Sequence, residues 1–154
     1  MLSEKADGKM GKHYLPRTDS RSNNFLRCDG GREEAGYSVK NDAADCAVRA
    51  VVIAMGINYQ DGYDMCKRYG FKPHSGMMVE DLRRLLKDRG WIWVPYNAVK
   101  GQPRVKLHQL RHERCIVNVS RHISVMVNDT VIDNHDPRRI DTGGRCVYGV
   151  WQKE

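Results

Sequence analysis

The sequence predicts an α+β domain in which one buried helix packs on an antiparallel sheet. Two observations lead there. From about Ala43 to Met55 the chain is apolar on every side, which marks a helix at the centre of a core and not one on its surface. Beyond Gly90 the helical pattern gives way to five short segments rich in Val, Ile and aromatics, separated by turn residues. Helices first and strands afterwards make an α+β arrangement.

The elements follow in order. From Met1 to about Lys40 the chain is polar, rich in Gly, Ser, Asn and charges of both signs, and its apolar residues are isolated. Such a stretch cannot bury enough surface to fold alone, so residues 1–40 are expected to form an arm, partly disordered or draped over a domain of residues 41–154. The first helix has Asn41 or Asp42 as its N-cap and Gly56 as its stop. Its polar side chains, Asp45, Cys46 and Arg49, are confined to its first turns. A second helix from Tyr59 to Tyr69 is capped by Asn58 and ends at Gly70. A third, from Met78 to Arg89, puts Val79, Leu82, Leu85 and Leu86 on one face and ends at Gly90. The strands are Trp91 to Tyr96, Cys115 to Ser120, His122 to Val127, Thr130 to Asp133 and Arg145 to Trp151.

Composition narrows the function. The 154 residues suffice for one core. The longest apolar run, Ala50 to Met55, is far short of the roughly 20 residues of a membrane span. Met1 to Tyr14 lack the apolar stretch of a signal peptide, so a cytoplasmic protein is expected. Five scattered cysteines with no Cys-x-x-Cys pair read as free thiols, not as a disulfide framework. The net charge of +7 is spread along the chain without a nucleic-acid motif, so nucleic acid is not expected as the main partner. There is no phosphate-binding Gly-rich loop, and no cofactor is expected. His108, His112 and Cys115, with Cys146 or Cys28, have a loose zinc-like spacing, but Cys115 opens a strand and leaves the shared face, so no metal site is assigned.

One cysteine is placed for chemistry. Cys46 sits at the start of the buried helix, where unpaired N–H groups and the helix dipole favour the thiolate, the reactive form. A base is supplied further along. If Asn128-Asp129 is a two-residue hairpin turn, Val127 pairs with Thr130, Val125 with Ile132, Ser124 with Asp133 and His122 with His135. Side chains alternate, so His122, Ser124, Asp133 and His135 share one face, and Asp133 lies diagonally beside His122. A carboxylate there would orient the imidazole and stabilise its protonated form.

The segment Asp45-Cys46-Ala47-Val48-Arg49-Ala50, with Tyr59 beyond it, resembles the nucleophile segment of small papain-like cysteine peptidases of phage and bacterial genomes, including the peptidase domains that mature bacteriocins. Cys115-Ile116-Val117-Asn118-Val119-Ser120-Arg121-His122 and Val131-Ile132-Asp133-Asn134-His135-Asp136-Pro137 are similar to their histidine and aspartate portions, and Val147-Tyr148-Gly149-Val150-Trp151 fits the end. The resemblance runs from about Asn41 to Trp151. It implies a papain-like fold, a protein or peptide substrate and a triad of Cys46, His122 and Asp133, with Asn134 or Asp136 as alternatives for the third place. Such peptidases often have an oxyanion-hole glutamine six residues before the cysteine. Lys40 stands there, which leaves Asn41 as the donor. The same triad serves amidases and acyltransferases. The rival expectation is a phage-type protein that binds or inhibits a host factor on the same scaffold without catalysis.

Overall fold

The computed structural model describes residues 17–37 and 44–154. Among them are a mixed six-stranded sheet and three α-helices, an α+β fold. The strands are β1 (Asn24–Arg27), β2 (Trp91–Pro95), β3 (Arg114–Val119), β4 (His122–Val127), β5 (Thr130–Asp133) and β6 (Val147–Lys153), arranged in the order β1-β5-β4-β3-β6-β2. The helices are α1 (Cys46–Met55), α2 (Tyr59–Arg68) and α3 (Val79–Asp88).

The sheet corrects two expectations. It is not wholly antiparallel: β1 runs parallel to β5, with Phe25 opposite Val131 and Arg27 opposite Asp133. That strand also comes from within the polar arm. Its four residues, mostly exposed, carry no alternating apolar signal. It forms because the outer edge of β5 offers unpaired backbone groups to whichever segment lies beside it. The last strand begins at Val147 instead of Arg145, and its pairing with β3 shifts register between Asn118 and Val119.

The two apolar faces of the sheet are covered differently. On one face Ile116, Ile123, Val125 and Trp151 pack with the buried side of α1 and with Leu82, Leu85 and Leu86 of α3. On the other, Val117, Met126, Val131 and Val150 are covered by Tyr96, Leu107 and Leu110 from the connection between β2 and β3. Seven of the ten residues of α1 are buried, which matches its apolar surround. The close fit of α2 on α1 needs Gly62, since a Cβ there would stand 2.3 Å from Val52.

The helix boundaries depend on capping. Asn58 accepts a hydrogen bond from the Asp61 N–H at 2.8 Å, as its position predicts, and Leu82, Leu85 and Leu86 are the buried residues of α3. At α1 the prediction is corrected. The helix starts at Cys46, not Ala43, with Asp45 as N-cap. Asn41 and Asp42, the expected caps, lie outside the described residues. Asp45 does not cap with its side chain. Instead its carboxylate takes the Arg32 guanidinium at 2.7 Å, the Tyr59 hydroxyl at 2.7 Å and the Arg49 guanidinium. Bonds from charged donors are stronger than one from a backbone amide, so they hold the carboxylate away from the helix end. None of the three helices is long and apolar enough to cross a membrane.

Candidate active site

Three backbone features bring the site together. The first residue of α1 is Cys46, and Gly56 closes the helix in the left-handed conformation (φ 68°), with its N–H on Val52 O. Asn128 and Asp129 turn β4 into β5 with φ of 49° and 61°, the positive pair of a type I′ hairpin, which Asn and Asp tolerate without glycine. The register is the predicted one: Val127 pairs with Thr130 and Val125 with Ile132. A second tight turn, with Arg121 at φ 59°, starts β4 at His122. His122 and Asp133 thus reach the same end of the sheet as the mouth of α1.

At that end the side chains meet. His122 Nε2 lies 2.7 Å from Asp133 Oδ2, and the same oxygen accepts the Ser124 hydroxyl at 2.8 Å. The other carboxylate oxygen accepts the Asn134 N–H at 2.8 Å and has Arg49 at 3.6 Å. With Nε2 engaged by the carboxylate, Nδ1 is the nitrogen left for the thiol, and Cys46 stands close enough for its charge to act on the ring. Ile123 lines the same narrow crevice as Cys46.

Electrostatics follow from these contacts. Burial by itself raises the Cys46 pKa, but His122, the Ile123 amide and the Arg49 charge outweigh it and lower the thiol below its ordinary value. For His122 burial pulls the other way, towards the neutral ring. Asp133 and Cys46 prevail and raise it to about 9. Burial likewise opposes ionisation of Asp133, and His122 leads the partners that nevertheless hold its carboxyl below the usual range. All three shifts run in the direction that favours thiolate, imidazolium and carboxylate. The fully buried thiols behave oppositely: burial pushes Cys66 up to about 12 and raises Cys115 as well.

Each residue singled out in the sequence has a definite place. The alternatives for the third position are turned elsewhere: Asn134 Oδ1 faces His135 Nδ1 at 2.7 Å, and Asp136 is held by Arg138. Asn41 lies outside the described residues. His112 bonds to Gln152 at 2.9 Å, while Cys115 is buried in the opposite face of the sheet. No group of three possible metal ligands gathers among the described residues. Sequence reasoning missed the roles of Arg32, Arg49, Ser124 and Arg145. The one signal for Arg49 is its i, i+4 spacing from Asp45 within a helix too apolar to leave a charge unpaired.

The contacts of Asp133 and Asn134 set a ranking. Asp133→Ala is expected to lower turnover at least about a hundredfold, because the imidazole loses the group that fixes its tautomer and charge. Asn134→Ala should change it little. Steady-state rates of the two variants, with folding checked by circular dichroism, decide the matter. A larger loss in the Asn134 variant would contradict this placement of Asp133.

Between Cys46 and Arg49 on the helix and Ser124 and Asp133 on the sheet the crevice is too narrow to admit a water molecule. The inner side of the site is therefore closed. No protein-family profile, curated protein or solved structure matches this chain.

Proposed function

We propose that the chain is a papain-like cysteine hydrolase that cleaves a peptide or isopeptide bond in a protein or peptide substrate, working in the cytoplasm. The observation that carries this reading is the Cys46 thiol at a helix start, near enough to His122 for the two charges to act on each other, with His122 hydrogen-bonded to Asp133. In the reaction the thiolate attacks the carbonyl carbon, and the imidazolium gives its proton to the departing amine as the carbon–nitrogen bond breaks. Water, deprotonated by the now neutral imidazole, hydrolyses the thioester and restores the thiol. Asp133 keeps the ring oriented in both halves and stabilises its charged form. The Cys46 N–H belongs to the first turn of α1, where amides have no intrahelical acceptor, and is free to meet the developing oxyanion. Asn41 is the proposed second donor.

Alkylation by iodoacetamide, followed by peptide mass spectrometry, tests the reading. At pH 7 Cys46 should be modified well before Cys28, Cys66, Cys115 and Cys146. His122→Ala should move its pH–rate curve up towards that of an ordinary thiol, near 8.5. Turnover depends also on the imidazolium, so it should fall as the pH rises through about 9. If Cys46 reacts no faster at pH 7 than the partly exposed Cys28 and Cys146, the hydrolase assignment is lost.

A further inference from the structure

Of the buried arginines, Arg32 and Arg49 share the carboxylate of Asp45. Arg145 has no such partner. Its side chain is 7% exposed, its Nε has no hydrogen-bond partner, and no carboxylate among the described residues forms an ion pair with it. A largely buried guanidinium that no carboxylate bonds directly is costly to keep, and it is available to a negative group that reaches it. Burial accordingly lowers its pKa, and the nearby charge of Arg139 adds to the effect.

Its location says what that something is near. Arg145 precedes Cys146, whose carbonyl accepts the Ser120 N–H at 3.3 Å. The next residue, Val147, pairs with Val119, and Val119 pairs with His122. Arg145 therefore stands at the same end of the sheet as His122, and its charge is felt by both Cys46 and Asp133. The positive end of α1 and the His122 ring lie around the same mouth, and the charge of Arg139 acts on Arg145. Arg49 contributes less, since two carboxylates already neutralise it. A negative group entering beside the thiol would find Arg145 the one buried cation there still without a partner among the described residues.

Resting on the hydrolase reading above, we infer that Arg145 is a substrate-binding residue, and that the acyl compound attacked by Cys46 carries a carboxylate close to the scissile bond. The carboxylate is either the C-terminus of a peptide or an acidic side chain flanking the bond. Both present the planar pair of oxygens that a guanidinium grips.

Two alkylating reagents of nearly equal size, iodoacetate and iodoacetamide, provide the test. In each case the Cys46 thiolate displaces iodide, but only iodoacetate carries a carboxylate. The ratio of the two rates at Cys46 reports the carboxylate contact and cancels any general change in thiolate reactivity. Arg145→Gln should lower the iodoacetate-to-iodoacetamide ratio about tenfold, the scale of one charge-assisted hydrogen bond. Arg145→Lys should keep most of it. In the wild type, N-acetylalanine should protect Cys46 from iodoacetamide better than N-acetylalaninamide if the ligand is a C-terminus. N-acetylglutamic acid α-amide should be the better protectant if it is an acidic side chain. This wild-type measurement carries the test if the glutamine variant does not fold. An unchanged ratio in Arg145→Gln, or protection no better by either carboxylate than by the neutral amide, overturns the inference. Slow reaction of Cys46 with both reagents would instead count against the hydrolase reading, and the ratio would remain readable.

Discussion

Replacing Cys46 by alanine is expected to abolish covalent chemistry while leaving the fold in place. The thiol lies at the mouth of α1, partly buried, and contributes reactivity more than packing. Removing one small side chain there should cost about 1 kcal/mol, whereas loss of the thiolate removes the acyl-enzyme route entirely. The change has a second, less obvious consequence for the pH dependence of stability. Where the folded protein holds Cys46 as thiolate and His122 as imidazolium, the pair carries one proton. Between about pH 6.5 and 8.5 the unfolded chain also holds one on this pair, on the thiol instead of the imidazole. The pair alone thus gives no slope of stability with pH in that window. With the thiol gone, His122 still has Asp133 to raise its pKa above the unfolded value. Its contribution is then full below the unfolded pKa and is lost as pH rises through the folded one. Thermal melts of Cys46→Ala should therefore decline with pH above about 6.5, by at most about 1.4 kcal/mol per unit. Full retention of biological activity by a normally melting variant would show that the protein acts by binding, as a scaffold-type inhibitor would.

The largest effect on stability is expected at the residue beside the nucleophile. Asp45 is 3% exposed and accepts from Arg32, Arg49 and Tyr59, and Arg49 also faces the more distant Asp133. Asp45→Ala takes from two buried guanidinium groups the carboxylate they share. The expected loss is about 3–5 kcal/mol, a large share of what a domain of this size has to lose. Urea denaturation of wild type and variant measures it, with the slope compared to confirm that the same surface unfolds. The site should also feel the change, because Arg49 is freed to turn fully onto Asp133 and compete with His122 for its carboxylate. A loss under about 1 kcal/mol would mean that water reaches the arginines and that this network does not hold the first turn of α1.

Local chemistry explains why so much of this was legible before any coordinates. A helix apolar on every side has one stable location, beneath a sheet, and α1 is found there. A two-residue turn of Asn128-Asp129 permits one register, because a slip by a single residue would turn Val125 and Ile132 out of the core. That register is observed, and with it the meeting of His122 and Asp133. Both rules act over a few residues and depend only on side-chain period, turn geometry and burial.

What the sequence by itself determined, then, is the α+β class, the central helix with Cys46 near its start, and the hairpin that carries His122 and Asp133. Tertiary structure alone decided the parallel β1, the start of α1 at Cys46, the network centred on Asp45 and the unpaired state of Arg145. The physical reason is range. Arg32 and Asp45 are 13 residues apart, Arg49 and Asp133 lie on different elements, and Arg145 stands just before β6, outside its pairing. Where a charge finds its partner depends on how distant segments pack, and no period or turn signal records it.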